Sequence, residues 1–229
     1  MLDDEVPNGF GSYPDLPDDI LLGPRISFLF RVRIYSRHLK ACLDQVGVSA
    51  APQSLRDLST ALRLWEQFAC ALVAAALAGE GGATSKPSQM KYDAVLAYFL
   101  HINEFGEKIL ESQARQNVSA PTFPIDYAVG TPLFFCGFYC RDWSTRREAL
   151  RLLKALEERF KGSDATAFLP MMVSALERII YIESHGLPPL DVVPEVARIH
   201  YVISTGRPGS SDIRFSYCPV GMDGLVEIV

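Results

Sequence analysis

The chain has 229 residues, 48% of them hydrophobic and 21% charged, with 27 acids against 22 lysines and arginines and a formal charge of −5. A chain of this length and apolar content can bury a core without disulfides or metal, which excludes disorder as its main state. Neutralising phosphates needs a concentrated basic face, and no Lys/Arg run supplies one here, so no direct nucleic-acid contact is expected.

Five cysteines, Cys42, Cys70, Cys136, Cys140 and Cys218, are an odd number set among apolar neighbours, and the chain opens with no secretory signal pattern. They read as reduced thiols inside a cell. The longest apolar run, Phe68 to Ala78, has 11 residues bounded by Glu66 and Glu80. That falls short of the roughly 18 a membrane span requires, and no membrane contact is expected.

The first 24 residues hold four prolines, three glycines and six acids without apolar periodicity. They read as a flexible acidic arm, either a frayed terminus or a docking peptide, since Phe10, Tyr13, Leu16 and Ile20 punctuate the acids. From Ile26 to Val46 the set Phe28, Leu29, Val32, Tyr35, Leu39, Cys42, Leu43 and Val46 recurs at three and four residues, with Arg31, Arg33, Arg37 and Lys40 between. This is the pattern of an amphipathic helix, which Gly47 stops. A second helix opens near Ser54, where Ser54 to Asp57 resembles a capping box, and runs through Leu55, Leu58, Leu62, Trp65, Phe68, Ala69, Leu72 and Ala76 to Gly79. Its alanine-rich end suits close helix contacts.

After a glycine- and serine-rich loop, Tyr92, Val95, Leu96, Phe99, Ile102, Phe105 and Ile109 define a third long helix. Thr131-Pro132 reads as an N-cap followed by proline at the first helical position. Leu133 to Cys140 is then a short, nearly all-apolar helix that should be buried on most sides. Thr145 to Glu148 forms a second capping-box pattern opening a helix through Phe160, and Ala165 to Glu183 reads as the last helix. Ile199, Tyr201 and Ile203, then Ile213, Phe215 and Tyr217, alternate with polar residues on either side of a Gly-Arg-Pro-Gly-Ser-Ser turn, as a β-hairpin does. The expected fold is mainly α: a helical bundle or solenoid-like array of about six helices with a small C-terminal β-hairpin at about 197–218. The arm at 1–24 and the domain at 25–229 are the two expected parts.

No recognised catalytic, dinucleotide or phosphate-binding motif occurs, so no catalytic, cofactor-binding or metal-ligating residue is assigned and no cofactor is implied. Cys136 and Cys140 stand one helical turn apart, a spacing open to part of a metal site, to a redox pair or to two small core residues. His101 and Glu104 share a helix face and read either as a proton-shuttling or metal-binding pair or as surface residues. The densest polar cluster is Arg141-Asp142-Trp143 with Arg146, Arg147 and Glu148. Asp142 lies where a helix N-terminus favours a carboxylate, and an arginine of the next turn has Asp142 or Asp126 to pair with. Local pairing at a helix junction is one reading of these arginines, and an anion or substrate clamp is the other.

The same region carries a resemblance. Phe123-Pro-Ile-Asp126, Gly130-Thr-Pro-Leu133, Cys140-Arg-Asp142, Arg146 to Leu153 and Pro194-Glu-Val-Ala-Arg198-Ile, in this order and spacing, resemble the C-terminal region of fungal-specific zinc-binuclear-cluster transcription factors. Together with the leucine-rich second helix and the Tyr92-Asp93 helix, the resemblance spans roughly residues 50 to 205. It implies an all-helical regulatory domain in a nuclear fungal protein, working by dimerisation or partner contacts in pathway-specific gene control. Two departures stand out. The six-cysteine DNA reader of that family has no counterpart before Ile26, since the first cysteine is Cys42. Ala155 to Arg159 also replaces a Pro-Arg-Arg-Glu-Gly-Trp stretch common in the family.

Two functions follow as expectations. The first is a nuclear, regulator-like protein without its own DNA-binding module, acting through a homodimer or a protein partner, in secondary-metabolite gene control among other settings. The second is a cytoplasmic small-molecule enzyme or binding protein built on the same helices. For that alternative His101, Glu104, Tyr139 and Arg141 are the first polar candidates to line an aromatic pocket, against the plainer reading that these aromatics are ordinary core.

Overall fold

The computed structural model describes residues 18–46, 51–78, 89–116, 126–161, 168–184, 192–194, 197–205, 214–219 and 226–228. The described helices pack into one body. Six α-helices follow in chain order: α1 (Asp18–Val46), α2 (Gln53–Ala78), α3 (Leu96–Gln116), α4 (Thr131–Tyr139), α5 (Trp143–Arg159) and α6 (Leu169–Ser184). A tight 3₁₀ turn, Gln89–Val95, leads into α3, and a wide π turn, Asp126–Gly130, leads into α4. The expected arm before Asp18, the loop at 79–88 and the turn at 206–213 lie outside the described residues.

The core grows along the helix order. Phe28 on α1 meets Trp65 and Phe68 of α2 edge-on, at ring separations of 5.7 and 6.4 Å. Ala61, Ala71 and Ala75 keep the buried side of α2 narrow, so its neighbours can approach closely. α2 also carries a polar tie to α3: Asp57, 2% exposed, accepts from Ser112 Oγ at 2.6 Å and Gln113 Nε2 at 3.2 Å. α4 sits among α2, α3, α5 and α6. Its Phe135 touches the rings of Phe68, Tyr92, Phe99 and Tyr139, so one side chain joins four elements.

Several boundaries differ from the sequence expectation, each for a local reason. α1 begins at Asp18, inside the expected arm, and Pro24 lies within it. Pro24 stands in the second turn, where it gives up the hydrogen bond to the Ile20 carbonyl, a break that the sequence spells and the helix runs through. α2 opens at Gln53, so Ser54 is not its cap, and Asp57 bridges the Gln53 side chain at the helix start and Ser112 and Gln113 of α3. Thr131 is not the cap of α4 either. Gly130 precedes the helix with helical angles (φ −59°, ψ −48°) because the π turn runs straight into it. α5 starts before the expected capping box: Asp142 is its cap, accepting from the Thr145 N–H at 2.7 Å and its hydroxyl at 2.5 Å. Glu148 is thereby released to pair with Arg151. Leu96, expected on the buried side of α3, is exposed.

By length and composition, Gln53–Leu77 is the one stretch among the described residues long and apolar enough to cross a membrane. It packs as a core helix between α1 and α3, with Leu64, Ala69 and Ala71 fully buried and Arg56, Asp57, Arg63 and Glu66 along it.

α4 and α6 approach most closely at Gly137, where a Cβ would fall 2.4 Å from Leu176 Cδ2 and 3.0 Å from Cδ1. Gly137→Ala is expected to destabilise the fold by about 1–3 kcal/mol, the usual range for overpacking. Gly23→Ala, which meets nothing within 4 Å, should leave stability unchanged or raise it. Urea midpoints of the two variants check this.

Candidate functional site

The junction after α4 was the densest polar cluster in sequence, and the structure resolves what its arginines do. A short buried helix presents its last carbonyls to a dry interior, where each needs a donor. Cys140, in extended conformation (φ −66°, ψ 135°), ends α4 and returns its N–H to the Cys136 carbonyl at 3.0 Å. Arg146 Nε donates to the Gly137 carbonyl at 2.8 Å. Arg198 donates to the carbonyls of Phe138 and, at 3.1 Å, Cys140. Between the two guanidiniums lies the Glu183 carboxylate of α6, paired with Arg146 and 3.6 Å from Arg198 Nε. All three side chains have 0% exposure. Glu183 also accepts the Ile199 N–H at 2.7 Å.

Burial pulls the Arg198 guanidinium down to about 10, against the opposing pull of Glu183. It stays charged at neutral pH. The cluster therefore holds two cations and one anion, and the negative end of the α4 dipole faces the excess charge. Arg141 is held separately: its Nε donates to the Val193 carbonyl at 2.8 Å and its Nη1 meets Asp93 at 2.6 Å. The Val193 N–H returns to the Arg141 carbonyl at 2.9 Å, which ties residues 192–194 to the junction. Arg141 and Arg146 both serve the fold, but their partners are distant in the chain and not local: Asp93 for Arg141 and Glu183, not Asp142 or Asp126, for Arg146.

The four pocket candidates fall into two separate places. His101 and Glu104 lie on the solvent side of α3, His101 Nδ1 3.3 Å from Gln67 and Glu104 paired with Lys108 at 2.5 Å. The Lys108 ammonium holds the Glu104 carboxyl below its ordinary range. Tyr139 is buried at the junction, its ring 4.3 Å from Tyr92, and Arg141 is engaged as above. The structure does not join the two pairs.

Cys136 and Cys140 are both buried. The Cys136 thiol lies within weak hydrogen-bonding reach of the Phe99 carbonyl and Asn103 Oδ1, at 3.7 and 3.6 Å. Burial raises Cys136 far above the ordinary thiol range and Cys140 to about 11, so neither offers a thiolate at neutral pH. Among the described residues, no three His, Cys, Asp or Glu side chains gather as a metal site.

Two features escaped sequence reading. Glu183 continues the buried stripe of Leu169, Met172, Val173, Leu176 and Ile179, and a carboxylate at that spacing is the signal of a buried pair. Asn103, on the buried side of α3, donates to the Thr145 carbonyl at 2.8 Å by the same logic.

Among the described residues several large apolar side chains face solvent, Leu96 and Leu100 on α3 and a group on α1 among them. α1 packs chiefly on α2, and its solvent side carries Phe30, Ile34 and Tyr35 at 61%, 48% and 63% exposure. Compared with known protein families, curated proteins and solved structures, the chain matches none.

Glu183→Gln leaves two buried guanidiniums without their counter-charge and should lower stability by about 3–5 kcal/mol, whereas removing the exposed Arg151 should cost under about 1 kcal/mol. Chemical denaturation separates the two. Iodoacetamide near neutral pH should label exposed Cys42 and spare Cys136 and Cys140 in the folded protein, read by peptide mass spectrometry.

Proposed function

We propose that this chain is a transcription-factor-like regulatory domain without a DNA-binding module of its own, acting in the nucleus by contact with another protein or a second copy. The observation that carries this reading is the outer side of α1, a 29-residue helix with Phe30 and Ile34 one turn apart and Tyr35 beside them in solvent. Large apolar side chains grouped on an exposed helix favour a helix-face contact, because covering them removes their area from water. The buried arginine cluster supports the reading indirectly: its charges serve the fold.

The resemblance to the fungal regulatory region supplies the class, and pathway-specific gene control, secondary metabolism included, is the setting it implies. The motif Pro194 to Ile199 contributes Arg198 and Ile199 to the buried cluster, which gives that part of the resemblance a physical role. A C-terminal β-hairpin belongs to the same proposal. It is supported by the antiparallel register that sets Val202 opposite Tyr217 and Ile203 opposite Ser216. The enzyme alternative loses its basis in His101, Glu104, Tyr139 and Arg141, which stand in two groups with separate partners.

Light scattering of the purified chain and affinity capture from nuclear extract test the proposal. The expected outcome is self-association or a specific nuclear partner, weakened at least roughly tenfold by Phe30→Asp with Ile34→Asp, since the two side chains bury a hydrophobic contact worth over 1.4 kcal/mol. A strictly monomeric protein that captures no nuclear partner contradicts it.

A further inference from the structure

Arg33, Arg37 and Lys40 recur at four and three residues, so they line one flank of α1. Across a cleft of about 400 Å³ they face Ser59, Leu62, Arg63 and Glu66 of α2, with Ser36 and Leu39 completing the wall. Four cations thus share the cleft with a single acid. Glu66 is engaged by Arg33 Nε at 3.2 Å. Arg37, Lys40 and Arg63 have no ion pair among the described residues. In a chain whose net charge is −5, this local excess of three positive charges runs against the overall balance. Like charges held along one cleft repel, and an anion seated between them reverses the sign of that term.

A second observation points the same way. Ser36 lines the cleft, and its hydroxyl, turned from solvent, has no hydrogen-bond partner among the described residues. A shielded hydroxyl without a partner carries a desolvation cost that a ligand oxygen removes. Two arginine forks, a lysine point charge and a hydroxyl donor form a set suited to phosphate oxygens. Leu39 and Leu62 give the same cleft an apolar strip, and its volume falls in the range of small-molecule sites.

We propose that the cleft between α1 and α2 binds a phosphate-bearing small molecule, its phosphate held by Arg37, Lys40, Arg63 and the Ser36 hydroxyl. This site adjoins the proposed protein contact, since Arg37 stands one turn from Ile34 on α1, and needs no chemical step. Calorimetric titration of the full chain with inorganic pyrophosphate at low and physiological salt tests it. The expected result is saturable one-to-one binding that weakens as salt rises. The exposed pair Arg37→Ala with Arg63→Ala should weaken it by at least about tenfold, given the loss of two charge-assisted contacts. Ser36→Ala should weaken it a few-fold with the helical circular dichroism unchanged. No saturable heat up to about 10 mM pyrophosphate, or equal affinity in the wild type and in a folded Arg37→Ala/Arg63→Ala variant, overturns the proposal. Should that double variant not fold, Lys40→Gln is read by the same criterion.

Discussion

Two guanidiniums and one carboxylate, all sealed from water, hold the later half of the helical body in place. α4 is short, nearly all apolar and surrounded by helices, so its last carbonyls have no water to turn to. Arg146 reaches them from α5 and Arg198 from the chain beyond α6, while Glu183 of α6 supplies the counter-charge. Each partner makes the others tolerable. Removing the carboxylate leaves buried like charges, and removing an arginine leaves buried carbonyls unmet, so the arrangement stands as a unit. The close packing at Gly137 follows from it, since Arg146 bonds the carbonyl of the same residue that lets Leu176 approach. The segments at 192–194 and 197–199 are fixed to the body through this junction as well.

How much of this could be read beforehand depends on the range of the interaction. The helices were legible because apolar residues at three- and four-residue spacing report a local geometry, and α2, α3, α5 and α6 lie close to where that spacing puts them. Their starts were less legible. Ser54-to-Asp57 and Thr145-to-Glu148 both have capping-box spelling, yet Asp57 bonds across to α3 and Asp142 caps α5. A carboxylate's choice between a local N–H and a distant donor is made by tertiary packing, which spelling does not carry. The extension of α1 through Pro24 was hidden because proline in a second helical turn spells a break, and the helix runs through it all the same.

The candidate site shows the same division. That Arg146 would serve the helix junction was readable from its place in the chain, with Asp142 or Asp126 as the expected local partner. Its actual partner Glu183 lies 37 positions along the chain, on an otherwise apolar stripe, and only the fold brings the two together. The thiols of Cys136 and Cys140 gave one turn of spacing in sequence, and burial then decided their chemistry. The surfaces on which the proposed contacts rest are on α1, where apolar side chains face outward and a basic cleft runs along the α2 boundary. The buried cluster of the later helices serves the fold.

The central claim is that this chain acts on gene expression through contacts and not by converting a metabolite. Deleting its gene in the organism that encodes it, and recording transcripts and small molecules together, tests this most directly. The account predicts that a coherent set of transcripts changes along with the corresponding products. Unchanged transcripts with one accumulating intermediate would contradict it and mark the protein as an enzyme.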